Sequence, residues 1–494
     1  MADNNQSSYR SIFKATSLFG GVQIYQILIQ VIKSKFVAVL IGPVGVGIMG
    51  LYQSGLQLVQ QISSMGLSQS AVRDVSEANG TNDIQRISTT ITVVRKLVWI
   101  TGILGLIIVA SCSSLLSKAS FGNNDYTIPF IILSITLLLD QLNAGQRVVL
   151  QGLRRLKDLA KCSVFGVTFG LLISVPLYYW LGIDGIIPTF ILTSLCSLIL
   201  SWFYSRKIKI EKIQVTHRQT FQHGKQMLVM GISMSLGGVF VYIASFAIRG
   251  FVQREGGLEQ VGLFQAGFAI VTTYVGMVMN AISTDYYPRL AAINKDNMKC
   301  REAVSQQGEV GAMILAPMLT CCIVYMPFVL KILYSDKFLA ANEYISWACL
   351  GMFFRLAAWV ISFLYVAKAE SKLFIILEFF GNFVYLILSL IGYKYLGLKG
   401  LGIAFAVQYL IYFLVVYFIA YNKYDFRFSD SFIKYYSSQL LLIVSCLSVV
   451  IFLDGLIKYI VGSVIIVLSG FLGIWGLNKR VNLMAFIVNK ISKT

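Results

Sequence analysis

The chain has 494 residues, 57% of them hydrophobic and 13% charged, with 41 Lys and Arg against 22 Asp and Glu. Soluble domains carry about 25% charged residues, so a water-facing fold is excluded and the solvent of this chain is lipid. The net charge of +19 does not call for nucleic acid, because membrane topology and anionic headgroups account for basic residues at helix ends.

Fourteen apolar stretches are each long enough to cross about 30 Å of hydrocarbon as a helix. The opening MADNNQSSYR lacks a signal-peptide pattern, so the first span, 11–40, is expected to be retained. It holds Lys14 at its inner end, then Gln23, Gln26, Gln30 and Lys33 along one face. The second, 44–70, carries Gln53, Gln57 and Gln61 at a four-residue spacing. After 90–116, the fourth span, 127–151, presents Asp140, Asn143, Arg147 and Gln151 on one face. Spans at 159–181 and 185–205 lead to the basic run RKIKIEKIQVTHRQ. Span 226–250 ends at Arg249, and span 258–285 contains Gln265 and closes on Asp285 and Arg289 in TDYYPRL. Span 308–333 follows, then 340–367 with Arg355 near its middle, and 372–395 with Glu378, Asn382 and Tyr385 on one face. Spans 399–421, 434–453 and 456–477 complete the chain.

With the N-terminus cytoplasmic, the inner loops and helix ends hold 30 of the 41 basic residues, the outer side holds 10, and Arg355 lies within a span. The positive-inside rule therefore places both termini in the cytoplasm. The eight cysteines are scattered and show no zinc or disulfide spacing. His217 and His223 fall in the basic central loop, and the Asn79-Gly80-Thr81 sequon falls in a predicted cytoplasmic loop. GVGIMG at Gly45 to Gly50 matches GxGxxG but has no preceding strand, so a dinucleotide site is rejected.

The chain repeats itself. GLYQSG at Gly50 echoes GLFQAG at Gly262, 212 residues on; SLFGGV echoes SLGGV at an offset of 217; YYWLGIDG at Tyr178 echoes YKYLGLKG at Tyr393 at 215. Around the last match, residues 166–185 and 381–400 share seven identities in twenty. Three ordered matches at similar offsets indicate duplication of a unit of about 215 residues. The expected fold is an all-α integral membrane protein of about fourteen helices: an N-lobe over 1–215, a C-lobe over 216–425, each of six helices, and two further helices over 426–494. An even helix number per unit makes the repeats parallel, with a substrate site at their interface near the midplane. On this reading Gln53 and Gln265 are equivalent residues, and Asp140 is equivalent to Arg355.

Polar residues along one face of an otherwise apolar helix must meet each other or water. The faces of Gln23, Gln26, Gln30, Gln53, Gln57, Asn143, Arg147 and Gln265 are therefore expected to line a polar cavity. An ionised residue at mid-span costs about 2.5–3.5 kcal/mol on insertion scales and marks a substrate path or an ion pair. Arg355 and Asp140 fit either a substrate role or a pair between the lobes, and snorkelling accounts equally for Lys33 and Arg249. Asp285 with Arg289 suits an interfacial pair or a gate. Cations within the spans suit a phosphate and amides suit sugar hydroxyls, so a phosphate-linked glycan would use both.

The stretches IGPVGVGIMGLYQS and QVGLFQAGFAIVTTYVGMVMNAISTDYYPRL resemble polysaccharide flippases of the MOP superfamily, most closely Wzx-type translocases of O-antigen and enterobacterial common antigen. The resemblance implies two six-helix lobes working by alternating access on an undecaprenyl-diphosphate-linked oligosaccharide in the bacterial inner membrane. It implies no cofactor and no enzymatic step, and it places glycan polymerase machinery among the partners. Lys14, Lys33, Arg249 and Arg355 are the positions that would serve the diphosphate. Coupling to H+ or Na+ stays open, with Asp140 and Glu378 as the acids to test. Two rivals remain: a cation-coupled multidrug exporter of the same superfamily, which would favour an acidic, aromatic cavity, and a membrane glycan polymerase or glycosyltransferase, which would need catalytic acids on longer outer loops.

Overall fold

The computed structural model describes residues 2–481 apart from 82, 209, 212, 214, 277–278, 280–285 and 287–288, and leaves out the side chains of 2–20, 217–219, 221–223, 234, 274–275 and 480–481. Asp285 and the side chains of Lys14, His217 and His223 therefore lie outside the described residues.

No strand occurs among the described residues, and ten helical stretches are long and apolar enough to cross a membrane. Four of the ten are too long for one crossing: Gly21–Ser63, Leu156–Ser205, Ser235–Thr273 and Ser371–Tyr424, of 43, 50, 39 and 54 residues. Even the shortest would extend about 58 Å if straight, nearly twice the hydrocarbon thickness. Each is interrupted by one glycine of positive φ, at Gly42 (63°), Gly182 (56°), Gly257 (79°) and Gly397 (59°). Only glycine enters that region without a Cβ penalty. Each long stretch thus supplies two crossings, which accounts for all fourteen spans.

The helices in chain order are α1 (Ala2–Ser63), α2 (Leu67–Gly80), α3 (Ile84–Ser111), α4 (Ser113–Phe121), α5 (Thr127–Gly152), α6 (Leu156–Leu181), α7 (Ile186–Ser205) and α8 (His217–Ala269). A π-helical turn over Ile270–Val275 follows, then α9 (Asn297–Leu333), α10 (Asn342–Ala367), α11 (Ser371–Tyr424), α12 (Asp430–Phe452) and α13 (Gly455–Val481).

The duplication is written into the backbone. Left-handed residues recur 215 positions apart at Gly42 and Gly257, Arg154 and Ala369, and Gly182 and Gly397. Helix α5 recurs as α10 at the same spacing, each 26 residues long. The YYWLGIDG and YKYLGLKG echo is the hairpin after α6 and its copy. A Cβ at Gly185 would run into the carbonyl of Leu177, and one at Gly400 into that of Gly392, so both glycines serve close backbone approach.

This register corrects one reading of the sequence. At the 215 spacing set by the hinges, Gly262 corresponds to Gly47 and not to Gly50. The contacts agree: a Cβ at Gly47 would meet the carbonyl of Leu258, and one at Gly262 would meet that of Pro43, residues that are themselves 215 apart. Gln53 and Gln265 therefore stand three residues, nearly one helical turn, out of register. The SLFGGV match is likewise two residues out, which in a continuous helix points the side chains to another face.

The chain forms two compact units. The first runs to Gly262 and takes in Leu333–Ser335; the second comprises Leu263–Ile332 and the chain from Asp336 onward. In the first, α2 buries Leu67, Ala71 and Val75 on one stripe against Val94 and Leu97 of α3, Val148 and Val149 of α5, Val215, and Met227 of α8. In the second, α10 is buried along most of its length. Backbone carbonyls around it are met by tyrosine hydroxyls: Tyr286 donates to Val360 at 2.7 Å, Tyr365 to Val416 at 2.6 Å, and Tyr436 to Phe353 at 3.1 Å. Outside the duplication, α12 and α13 pair through Gln439 and Ser469, and the Ser463 hydroxyl meets Tyr325 of α9 at 2.7 Å.

Candidate functional site

Within the first unit, α8 approaches the end of α1 and the turn at Gly66 through glycines. Cβ atoms at Gly66 and Gly231 would each strike the other segment's backbone, and one at Gly238 would strike the amide nitrogen of Gln61. Gln61 donates from Nε2 to the Ser235 carbonyl at 3.0 Å. This approach shapes a recess of about 240 Å³ lined by five glutamines, Gln57, Gln60, Gln61, Gln69 and Gln141, together with Ser64, Ser68, Ser235 and Tyr242. Among the described residues, no carboxylate, lysine or arginine lines it. Gln141 is buried and held by a 2.9 Å bond from Nε2 to the Thr101 hydroxyl. Amides and hydroxyls at this density offer donors and acceptors together, which is what a vicinal diol needs.

The sequence periodicity found Gln57 and Gln61. It missed Gln60, which lies beside that row on α1, and Gln69 and Gln141, because the recess is built from four helices, α1, α2, α5 and α8, and only α1 carries a regular glutamine row. Gln53, on the same row, is exposed.

A second constellation concerns the charged residues of the duplicated helices. Asp140 of α5 is half-buried, within hydrogen-bonding reach of Ser194 on α7. Arg155 pairs with Asp158 beyond the end of this helix at 3.4 Å, and Arg147 donates to Ser163 of α6 at 3.3 Å. In the second unit, the Arg355 guanidinium lies 5.4 Å from the Tyr409 ring centre, within electrostatic reach of Glu378. The Glu378 carboxylate accepts from the Tyr412 hydroxyl at 3.2 Å, and Asn382 donates to the Glu378 carbonyl at 2.8 Å. Arg355 and Glu378 thus lie within electrostatic reach of each other in the second unit, whereas in the first Asp140 faces Ser194 and Arg147 faces Ser163.

The remaining cations differ in their surroundings. Lys33 is half-buried on α1 and has no hydrogen-bond or ion-pair partner among the described residues. Arg249 is buried and folds back onto its own helix, donating to the Ser245 carbonyl at 3.0 Å and to the Ser245 hydroxyl. That i−4 bond, rather than snorkelling, satisfies part of its guanidinium. Gln23 and Gln30 are exposed, Gln26 is half-buried, and Tyr25 between them bonds Thr168 of α6 at 2.8 Å. Asn143 and Gln265 are half-buried. Arg289 is exposed and donates to Gln307 at 3.1 Å.

Comparison with known proteins places this geometry. Residues 36–343 match the family model described as "Polysaccharide biosynthesis protein". The chain belongs to that family. It is similar to the lipid III flippases of Escherichia coli (strain K12) and Shigella flexneri, at 20% identity over 417 residues, covering 82% of this chain and 96% of each relative. Among solved structures it resembles an inward-facing multidrug resistance MATE family transporter of the MOP superfamily, with TM-score 0.66, 17% identity, and coverage of 81% of this chain and 94% of that one. It resembles lipid II flippase MurJ in its inward closed conformation with TM-score 0.65 and 14% identity, covering 93% and 98% of the two chains. At such identities the structural likeness shows the fold. This member of the polysaccharide biosynthesis protein family is a multi-pass membrane protein whose fold is shared with transporters of the MOP superfamily.

Proposed function

We propose that the protein is a flippase that carries an undecaprenyl-diphosphate-linked oligosaccharide from the cytoplasmic to the periplasmic leaflet of a bacterial inner membrane, with both termini cytoplasmic. The observation that carries this reading is the glutamine-lined recess, whose amides and hydroxyls match saccharide hydroxyls and which has no carboxylate among its lining residues to counter the charge of an organic cation. The lipid III flippase relatives, matched over nearly their full length, support a lipid-linked saccharide as cargo. O-antigen is the glycan class proposed, with glycan polymerase machinery downstream.

In this mechanism the head of the cargo enters from the cytoplasmic side, drawn by Lys14 and Arg355. The two lobes then rock so that Lys33 and Arg249 receive the diphosphate on the outer side. Lys33 suits that part because an ammonium left alone in a span costs about 2.5–3.5 kcal/mol unless water or an anion meets it. Gln23, Gln26, Gln30, Gln53, Asn143, Arg147 and Gln265 would extend the polar lining. Outward movement of negative charge is favoured by an inside-negative potential, by about 2.3 kcal/mol per charge per 100 mV. Exchange of H+ or Na+ would act through Asp140 or Glu378, and an Asp285–Arg289 pair would serve as a gate.

Deletion of the gene tests the reading. The expected result is loss of surface glycan with accumulation of its lipid-linked precursor, and unchanged growth in cationic dyes. Wild-type surface glycan with new dye sensitivity would instead identify a multidrug exporter.

A further inference from the structure

Helix α7 ends in Trp202, Phe203 and Tyr204, and the two cations that follow lie over those rings. The Arg206 guanidinium is 4.6 Å from the Trp202 ring centre, and the Lys207 ammonium is 4.4 Å from Phe203 and 4.9 Å from Tyr204. Beyond them the helix stops, and Ile208, Ile210, Ile213 and Val215 pack on the core of the first unit. Between this segment and α3 lies a recess of about 300 Å³ whose lining includes Arg95, Lys96, Trp99, Glu211, Ile210 and Ile213.

Two features of the recess call for an anion. Arg95 and Arg206 lie close enough to repel each other. The Nε of Arg95 is buried and finds no hydrogen-bond partner among the described residues, a state that costs the desolvation of a charged donor. Lys96, by contrast, is committed to the Val215 carbonyl, and Glu211 is exposed. A phosphate oxygen accepting from Arg95 and screening Arg206 would relieve both costs.

The surroundings identify the kind of phosphate. Trp99 and Trp202 are 51% and 45% exposed, and indoles of this kind favour the boundary between headgroup and hydrocarbon. The recess lies between α3 and the basic segment that follows α7, so acyl chains anchored by a headgroup there can run into lipid beside α3. Isoleucines form part of its wall, which free phosphate would not require.

We propose that this recess is a binding site for the phosphodiester headgroup of an anionic phospholipid, with Arg95 and Arg206 on the phosphate and Trp99 and Trp202 along the glycerol and upper acyl chains. The site is separate from the glutamine recess and does not depend on which cargo is moved.

The test is native mass spectrometry of the full chain in neutral detergent, titrated with phosphatidylglycerol, with phosphatidylcholine, or with phosphatidylglycerol plus millimolar inorganic phosphate. Preferential retention of phosphatidylglycerol is expected, resistant to inorganic phosphate and weakened about fivefold by Arg206→Gln. Arg95→Gln/Arg206→Gln should weaken it further. Arg206 is exposed, so the single variant is expected to remain folded, which its gel-filtration profile checks. Arg427→Gln, which removes an exposed cation 5.3 Å from the Tyr421 ring, is the control and should bind as wild type. Equal retention of the two lipids, unchanged binding in Arg206→Gln, equal weakening in Arg427→Gln, or displacement by inorganic phosphate would each overturn the assignment.

Discussion

Arg355 lies against Tyr409 in the second unit, and the residues 215 positions earlier, Asp140 and Ser194, stand within hydrogen-bonding reach in the first. The duplicated scaffold has kept one pair of helices in contact at this point while inverting the charge it carries. Glu378 and its earlier equivalent Ser163 differ in their partners: Ser163 accepts from Arg147, whereas Glu378 faces Arg355. In the second unit Arg355 and Glu378 lie within electrostatic reach of each other, so removing one leaves the other without its counter-charge in lipid-like surroundings.

Arg355→Gln is therefore expected to lower transport at least about tenfold, a loss worth about 1.4 kcal/mol, while Arg355→Lys keeps part of the activity because it retains charge without the planar stack. Thermal unfolding of Arg355→Gln, Glu378→Gln and the double variant should show a coupling of about 0.5–3 kcal/mol. Additive losses would mean that the two charges do not depend on each other.

The glutamine recess is expected to act on cargo affinity. Gln57→Leu should raise the half-saturating concentration of lipid-linked saccharide with little effect on stability. Gln141→Leu should in addition lose about 1 kcal/mol of stability through the Thr101 bond. Transport assays at several cargo concentrations separate the two effects.

The hairpin after α11 distinguishes two uses of glycine. Gly397 has a positive-φ backbone (φ 59°, ψ −140°) that only glycine adopts readily, with open space where a Cβ would go, so Gly397→Ala should cost about 1–3 kcal/mol from conformation alone. Gly400 is blocked by the Gly392 carbonyl, and Gly400→Ala should cost more because the backbones must separate. Thermal stability in detergent gives the order, and Gly185→Ala against Gly182→Ala should reproduce it in the first unit.

Glu370, between α10 and α11, is held below the usual carboxylate range by hydrogen bonds from Lys423 and Tyr424. Its contribution is complete above the unfolded glutamate value of about 4.3 and is lost as pH falls through the lower folded value. Glu370→Gln should therefore lower the melting temperature at pH 7 but make little difference well below pH ~4. A difference that grows in acid would contradict the ion pair.

Hydropathy made the fourteen crossings legible, since it depends only on composition along each helix. The repeat was legible at YYWLGIDG, where Gly182 and Gly185 have backbone duties that any copy must keep. It was misleading at GLYQSG, where small and aromatic residues recur by composition and the governing contact, Gly47 with Leu258, is remote in sequence. Gln57 and Gln61 followed a visible helical row, whereas Gln69, Gln141 and Tyr242 reach the same recess from separate elements. The Ser245 to Arg249 spacing was visible in the sequence, but only the fold shows that the guanidinium is buried and turned back along its own helix.

The central claim is movement of a lipid-linked saccharide between leaflets. Its most direct test is the protein reconstituted into liposomes containing a polyprenyl-diphosphate saccharide, with a non-permeant glycosidase reporting how much cargo reaches the outer face. The account predicts transfer well above protein-free vesicles, strongly reduced by Arg355→Gln and weakened by Gln57→Leu at low cargo. Transfer no faster than in empty vesicles, from protein shown to be folded, would contradict it.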